Sequence, residues 1–123
     1  MTPEIEKIPI PVTSRWAGLK IEKYLMPNEI VIYSTKGFLS VGDEEHFEGH
    51  VTNNRVMIYT SKGLIFKTDR LLDVPIGAIK SFKIVEEGII FKKMYLHLNE
   101  YRLVGNRMDI LELYRAIQSA MHK

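Results

Sequence analysis

Residues 44–59 read Glu44-Glu45-His46-Phe47-Glu48-Gly49-His50-Val51-Thr52-Asn53-Asn54-Arg55-Val56-Met57-Ile58-Tyr59. Over 44–52 the residues alternate in character. Phe47, Gly49 and Val51 fall on one side of an extended chain, and His46, Glu48 and His50 on the other. Asn53-Asn54 marks a tight turn, because asparagine tolerates positive φ. A second strand follows over 55–60, with Val56 and Ile58 inward. Two half-buried strands about a tight turn make an antiparallel hairpin.

Period two continues outward from this hairpin. Residues 29–36 are rich in β-branched side chains and read as a strand, and 37–43 as a turn or tight hairpin loop. After the hairpin, residues 61–63 turn into a strand at 64–67, and Asp69-Arg70 turns into another at 71–74. Pro75 ends that strand, and 76–79 form a single helical turn. Two longer strands, 80–86 and 89–98, join through Glu87-Gly88. The second points Ile90, Met94, Leu96 and Leu98 inward and leaves Ile89, Phe91, Lys93, Tyr95 and His97 on the opposite side. Asn99-Glu100 turns into 101–104. Short antiparallel strands at this spacing predict a sandwich or barrel.

The two ends differ from the middle. Asn106 is a good N-cap, with Asp109 three residues later, and Ile110, Leu113, Tyr114, Ile117 and Met121 recur at helical spacing. One amphipathic helix must pack on the sheet to bury its stripe. Residues 1–14 are proline-rich and extended; Ser14 is placed to cap a short helix over 15–25, which Pro27 ends. The expected division is an arm and short helix over 1–27 and one sandwich domain over 28–123.

A length of 123 residues suits one domain with a real core. The absence of cysteine excludes disulfides, thiol catalysis and cysteine-based metal sites, and fits a cytoplasmic protein. No apolar run approaches the ~20 residues of a membrane-spanning helix, so contact with a membrane would be peripheral. Charge is uneven. Residues 1–61 carry 6 basic and 8 acidic side chains, whereas 62–107 carry 9 and 5, a net of +4. A basic middle can meet an anionic surface.

The stretch Val51-Thr52-Asn53-Asn54-Arg55-Val56-Met57-Ile58-Tyr59 resembles the hydrophobic–Thr-x-x-Arg–hydrophobic strand of GRAM and GLUE domains. Val74-Pro75-Ile76-Gly77-Ala78-Ile79 looks like their Ile-Pro-Leu-x-x-Ile turn. Asn28-Glu29, then Gly37-Phe38-Leu39-Ser40-Val41-Gly42-Asp43, then Phe47 and Gly49, is similar to the start of the GLUE domain of the ESCRT-II sorting complex. Here Gly42-Asp43 stands for that family's Asp-Gly, and Val41 for its tyrosine. The resemblance implies a mainly β, PH-like antiparallel sandwich or barrel of seven strands, capped by a C-terminal helix. It also implies a binding module without catalysis, cofactor or metal. GLUE domains bind ubiquitin along the C-terminal helix and neighbouring strands, and some bind phosphoinositides; partners of this type are ubiquitin or a ubiquitin-like protein, ESCRT subunits and anionic lipid. The alternative is a microbial PH or GRAM-type domain that binds a lipid head group or another protein subunit.

On a protein-binding reading, Phe91 and Tyr95 belong to a strand side too apolar to face water, and Leu111, Arg115 and Gln118 form a helix flank. The arm or helix of the N-terminus, with Trp16, is an equally good cover for that strand side. On a lipid reading, Arg55, Lys62, Lys67 and Arg70 lie on adjacent strands and loops and would meet phosphate. The first hairpin, residues 36–45, carries one lysine and three acids, which oppose a phosphoinositide pocket of the usual kind. His46 and His50 are spaced on a strand too far apart, ~13 Å, to share an ion. No nucleophile–base pairing or phosphate loop stands out. The charge excess is too small for nucleic acid, despite the interleaving of Phe91-Lys92-Lys93-Met94-Tyr95.

Overall fold

The computed structural model describes residues 20–63, 65, 68–90 and 92–122, with the side chain of Lys20 outside that set. The described chain forms eight strands: β1 (Val31–Ser34), β2 (Leu39–Val41), β3 (Glu44–Thr52), β4 (Arg55–Lys62), β5 (Thr68–Pro75), β6 (Phe82–Glu87), β7 (Lys93–Leu98) and β8 (Tyr101–Val104). A C-terminal helix, α1 (Arg107–Met121), follows them. All pairings are antiparallel, in the order β5-β4-β3-β2-β8-β7-β6, and β1 lies on β3. The sheet does not close, and its two halves sandwich the core, as in a PH-like domain.

β3 is the hinge of this arrangement. Its C-terminal half pairs with β1 (Tyr33 against Val51) and its N-terminal half with β2 (Leu39 against Phe47), so β1 and β2 run along one side of β3 as a single strand interrupted at 35–38. The described residues thus form eight strands, where the family resemblance implies seven. Residues 37–43, expected to be a loop, contain β2; only Gly42-Asp43 turns. Between Leu39 and Val41 the partners on β3 are Phe47 and Glu44, which leaves an extra residue on β3. His46 absorbs that bulge at φ 72°.

Phe47, Val51, Val56, Ile58 and Val74 face Leu39, Met94, Leu96, Leu98 and Leu103 across the core. Ile110, Leu113, Ala116 and Ile117 of α1 close it. Of the expected helix stripe, Tyr114 is half-buried, stacked on Phe82 at 4.6 Å, and Met121 is exposed. Gly49 admits this packing: a Cβ there would come within 2.7 Å of the Leu39 side chain and 3.4 Å of Leu113.

Three other expected elements are corrected. The strand expected at 71–74 begins earlier, at Thr68, as β5, and of the strand expected at 64–67 only residue 65 is described. Asp69-Arg70 does not turn, because both residues sit in the ladder opposite Ser61 and Thr60 of β4. Leu64, Phe66 and Lys67 lie outside the described residues. The strand at 89–98 shrinks to β7, since Glu87 pairs with Lys93 and, among the described residues of the connection, 88–90 and 92 have no strand partner. Ile90 is consequently exposed and not inward.

The helix expected at 15–25 is, in its described part, a 3-10 helix over Lys20–Tyr24; Trp16 and residues 15–19 lie outside the described residues. Ile21, with Tyr24 and Leu25, packs on Met57, Tyr59 and Leu71. That is the outward side of β4 and β5; of the alternative N-terminal cover for the β7 side, Trp16 lies outside the described residues. Among the described residues no helix is long and apolar enough to cross a membrane.

Asp109 ties the break between β1 and β2 to α1. Its carboxylate accepts hydrogen bonds from the Tyr33 hydroxyl (2.5 Å), the Lys36 and Gly37 amides (both 2.9 Å) and the Asn106 side-chain amide (2.7 Å). The Asn106 side chain in turn accepts from the Asp109 amide as the N-cap. Burial works to raise the pKa of Asp109, but the bonds from Tyr33, Lys36, Gly37 and Asn106 outweigh it and hold the carboxyl below its ordinary value. A depressed carboxylate stabilises the fold fully above its unfolded pKa of about 4, and that contribution is lost as pH falls through the lower folded value. Asp109→Ala is expected to cost about 3 kcal/mol in urea unfolding, because it strands buried donors. It should also flatten the acid limb of the stability profile; an unchanged acid limb would show that the carboxylate does not hold the strand.

Candidate docking face on the second half of the sheet

The cationic residues expected to hold phosphate do not converge. Arg55 opens β4 and Lys62 ends it, about 23 Å apart at strand rise. Arg55 is engaged on every side. Its Nε and Nη2 donate to Glu29 at 2.8 Å each, Nη1 to Asp73 at 2.7 Å, and Nη2 also to the Tyr24 carbonyl at 2.6 Å. The Glu29 side chain is 0% exposed, and Thr52 and the Met26 amide complete its shell. Hydrogen bonding to Glu29 raises the guanidinium pKa against the effect of burial, with Asp73 adding to the rise. Arg55 is thus a clasp that fastens residues 24–29 to β3, β4 and β5.

Lys62 and Arg70 do come together, but on Glu44, which pairs with both. The Arg70 guanidinium also lies over the Phe47 ring, 5.8 Å from its centroid. Lys67 lies outside the described residues. Beside this pair an open hollow of 390 Å³ runs between Phe38, His46, Glu48 and residues 59–63. Its lysine, Lys62, is the one held by Glu44. His46 stands edge-on to Phe38 there, while His50 is buried against Ser34 and Glu48, so the two histidines do not share the expected open face.

The helix flank is divided. Leu111 is half-buried against the core, Arg115 pairs with Glu112 at 2.9 Å, and Gln118 is exposed. Of the strand residues expected to meet a protein, Phe91 lies outside the described residues. Tyr95 points outward by parity yet is only 7% exposed. The Arg102 guanidinium stacks over its ring at 3.8 Å, and His97 stands edge-on at 6.5 Å.

These contacts define a face of which the sequence marks the β7 side, with Lys93, Tyr95 and His97, but not the neighbours across the strands. Met94, Leu96 and Leu98 point into the core, so Tyr95 and His97 point out. Register places Lys83 of β6 and Arg102 of β8 directly opposite His97, and Val85 and Val104 directly opposite Tyr95. The outward side therefore carries a cross-strand row Lys83–His97–Arg102 beside a row Val85–Tyr95–Val104. Lys93 follows at the end of β7 opposite Glu87, with Lys92 before it.

The pairing of charges separates this face from the rest. Lys23, Arg55, Lys62, Arg70, Arg107 and Arg115 each have a carboxylate partner. Among the described residues, Lys36, Lys80, Lys83, Lys92, Lys93 and Arg102 have none, and all but Lys36 belong to β6, β7, β8 or the segments that adjoin them. The net +4 of residues 62–107 was a signal for this face, but only strand register shows which of its charges stand together.

Arg55→Ala should cost about 3 kcal/mol in urea unfolding, since it leaves the buried Glu29 carboxylate without its cation. Lys62→Ala should cost less than about 1 kcal/mol, as expected for an exposed pair. Equal costs would mean that the Arg55 clasp is no stronger than a surface pair.

Comparison of the chain with family profiles, curated proteins and solved structures gives no match.

Proposed function

We propose that this protein is a non-catalytic recognition module that docks on an anionic partner surface with the outward face of β6, β7 and β8. The observation that carries the reading is the row Lys83–His97–Arg102, whose lysine and arginine lack a carboxylate partner among the described residues. On a hydrogen-bonded sheet the backbone spacing of unneutralised cations is already fixed, so docking of a complementary charge orders only their side chains. Arg102 stacked on Tyr95 keeps its guanidinium in place and still offers donors at the rim.

A head-group pocket built on Arg55, Lys62 and Arg70 has less support, because Glu29, Asp73 and Glu44 already neutralise those groups. An enzyme has less support as well. In the hollow beside His46, the Thr60 hydroxyl donates to the His46 carbonyl and makes no nucleophile–base pair. A ubiquitin-like partner finds its support on the helix, where Arg115 and Gln118 are exposed. The cationic sheet face does not favour it, since ubiquitin's apolar patch is itself ringed by basic groups.

The test is retention on immobilised heparin across a salt gradient. Wild type should be retained and elute with rising salt, and Lys83→Glu/Lys93→Glu should pass through at physiological ionic strength. A double variant that elutes where wild type does would remove the face from the reading. Amide shifts confined to 111–118 on titration with ubiquitin would move the docking surface to the helix.

A further inference from the structure

The connection between β6 and β7 holds Ile89 and Ile90 side by side, 94% and 83% exposed. Gly88 enters it at φ 109°, and Lys92 and Lys93, both exposed, leave it. Two adjacent isoleucines left almost wholly in water are costly unless something receives them. The charges around them limit what that is. Glu86, at the foot of the tip, is held by Arg107 of α1, and Glu87 stands opposite Lys93. Lys92 and the row Lys83–His97–Arg102 are left to act outward from the same strands. An apolar point with unpaired cations behind it matches a bilayer with anionic head groups, whose acyl boundary takes the isoleucines while the head groups meet the lysines.

We propose that the Ile89–Ile90 tip is a membrane wedge that inserts at the boundary of an anionic bilayer, with Lys92, Lys93 and Lys83 seated on head groups of any anionic type. This inference rests on the docking face proposed above and names its partner. It assigns binding to bulk charge and apolar insertion, with no head-group pocket.

The chain has no cysteine, so Ile90→Cys accepts a single environment-sensitive fluorophore. Glu100→Cys, in the turn at the other end of β7, serves as the control. With vesicles of phosphatidylcholine and phosphatidylserine, the label at 90 should shift to the blue and the label at 100 should not. With phosphatidylcholine alone, neither should shift. In co-sedimentation of the unlabelled chain, Ile89→Ser/Ile90→Ser should weaken binding to the mixed vesicles by about tenfold or more. Lys83→Glu/Lys93→Glu should weaken it at least as much. Binding with no blue shift at 90 would overturn the wedge. Salt-dependent retention on heparin without any vesicle binding would also overturn it, while leaving the docking face standing. Loss of both would remove the face and the wedge together.

Discussion

Asp109 is a buried carboxylate that satisfies donors from three separate segments: β1 through Tyr33, the break between β1 and β2 through Lys36 and Gly37, and the helix cap through Asn106. The Thr35 amide still donates to the Gly49 carbonyl of β3 (2.8 Å), but the Lys36 and Gly37 amides beyond it have left the ladder and need acceptors from elsewhere. Asp109 supplies them, and the same carboxylate lies in the first turn of α1, where negative charge is favoured. The break lets one interrupted strand serve two halves of the sheet: β1 pairs with β3 alone, while β2 pairs with β3 and goes on to pair with β8. Gly37 fits the crowding at this point, since a Cβ there would come within 3.0 Å of the Asn106 side chain. The opening between the halves, the seat of α1 and the direction of β8 all follow from this one anchored interruption.

A second carboxylate cluster does similar work on the far side. Glu29 and Asp73 hold Arg55, and Asp69 accepts from the Tyr24 hydroxyl (2.5 Å) and the Tyr59 hydroxyl (3.0 Å) beside Lys23 (2.8 Å). Bonding to Lys23 and Tyr24 holds the Asp69 carboxyl well below its usual range. With Ile21 buried between Met57 and Tyr59, these pairs spend the charge and the apolar surface of β4 and β5 inside the molecule. On the half-sheet of β6, β7 and β8, Glu86 pairs with Arg107 of α1, and among the described residues no carboxylate pairs with Lys83, Lys92, Lys93 or Arg102, so these cations remain available to a partner. The asymmetry between the two faces is thus a matter of where the acids lie, not of how many bases the chain carries.

The amino-acid order by itself determined the main elements. Alternation at Phe47, Gly49 and Val51, the Asn53-Asn54 turn, the cap at Asn106 and the spacing of Ile110, Leu113 and Ile117 are local signals, and local backbone chemistry was enough to place them. What only the tertiary structure decided is pairing at a distance. Asp69-Arg70 has turn chemistry yet lies in a strand, because β4 holds it there. Ile90 has core parity yet is exposed, because its segment has no partner strand. Arg55, Lys62 and Arg70 look available in the sequence, but carboxylates from other strands neutralise them. Lys83, His97 and Arg102 lie 14 and 5 residues apart and become one row only through register. Periodicity is written within a strand, whereas charge neutralisation and cross-strand rows depend on which strands meet, and a single strand's sequence does not carry that information.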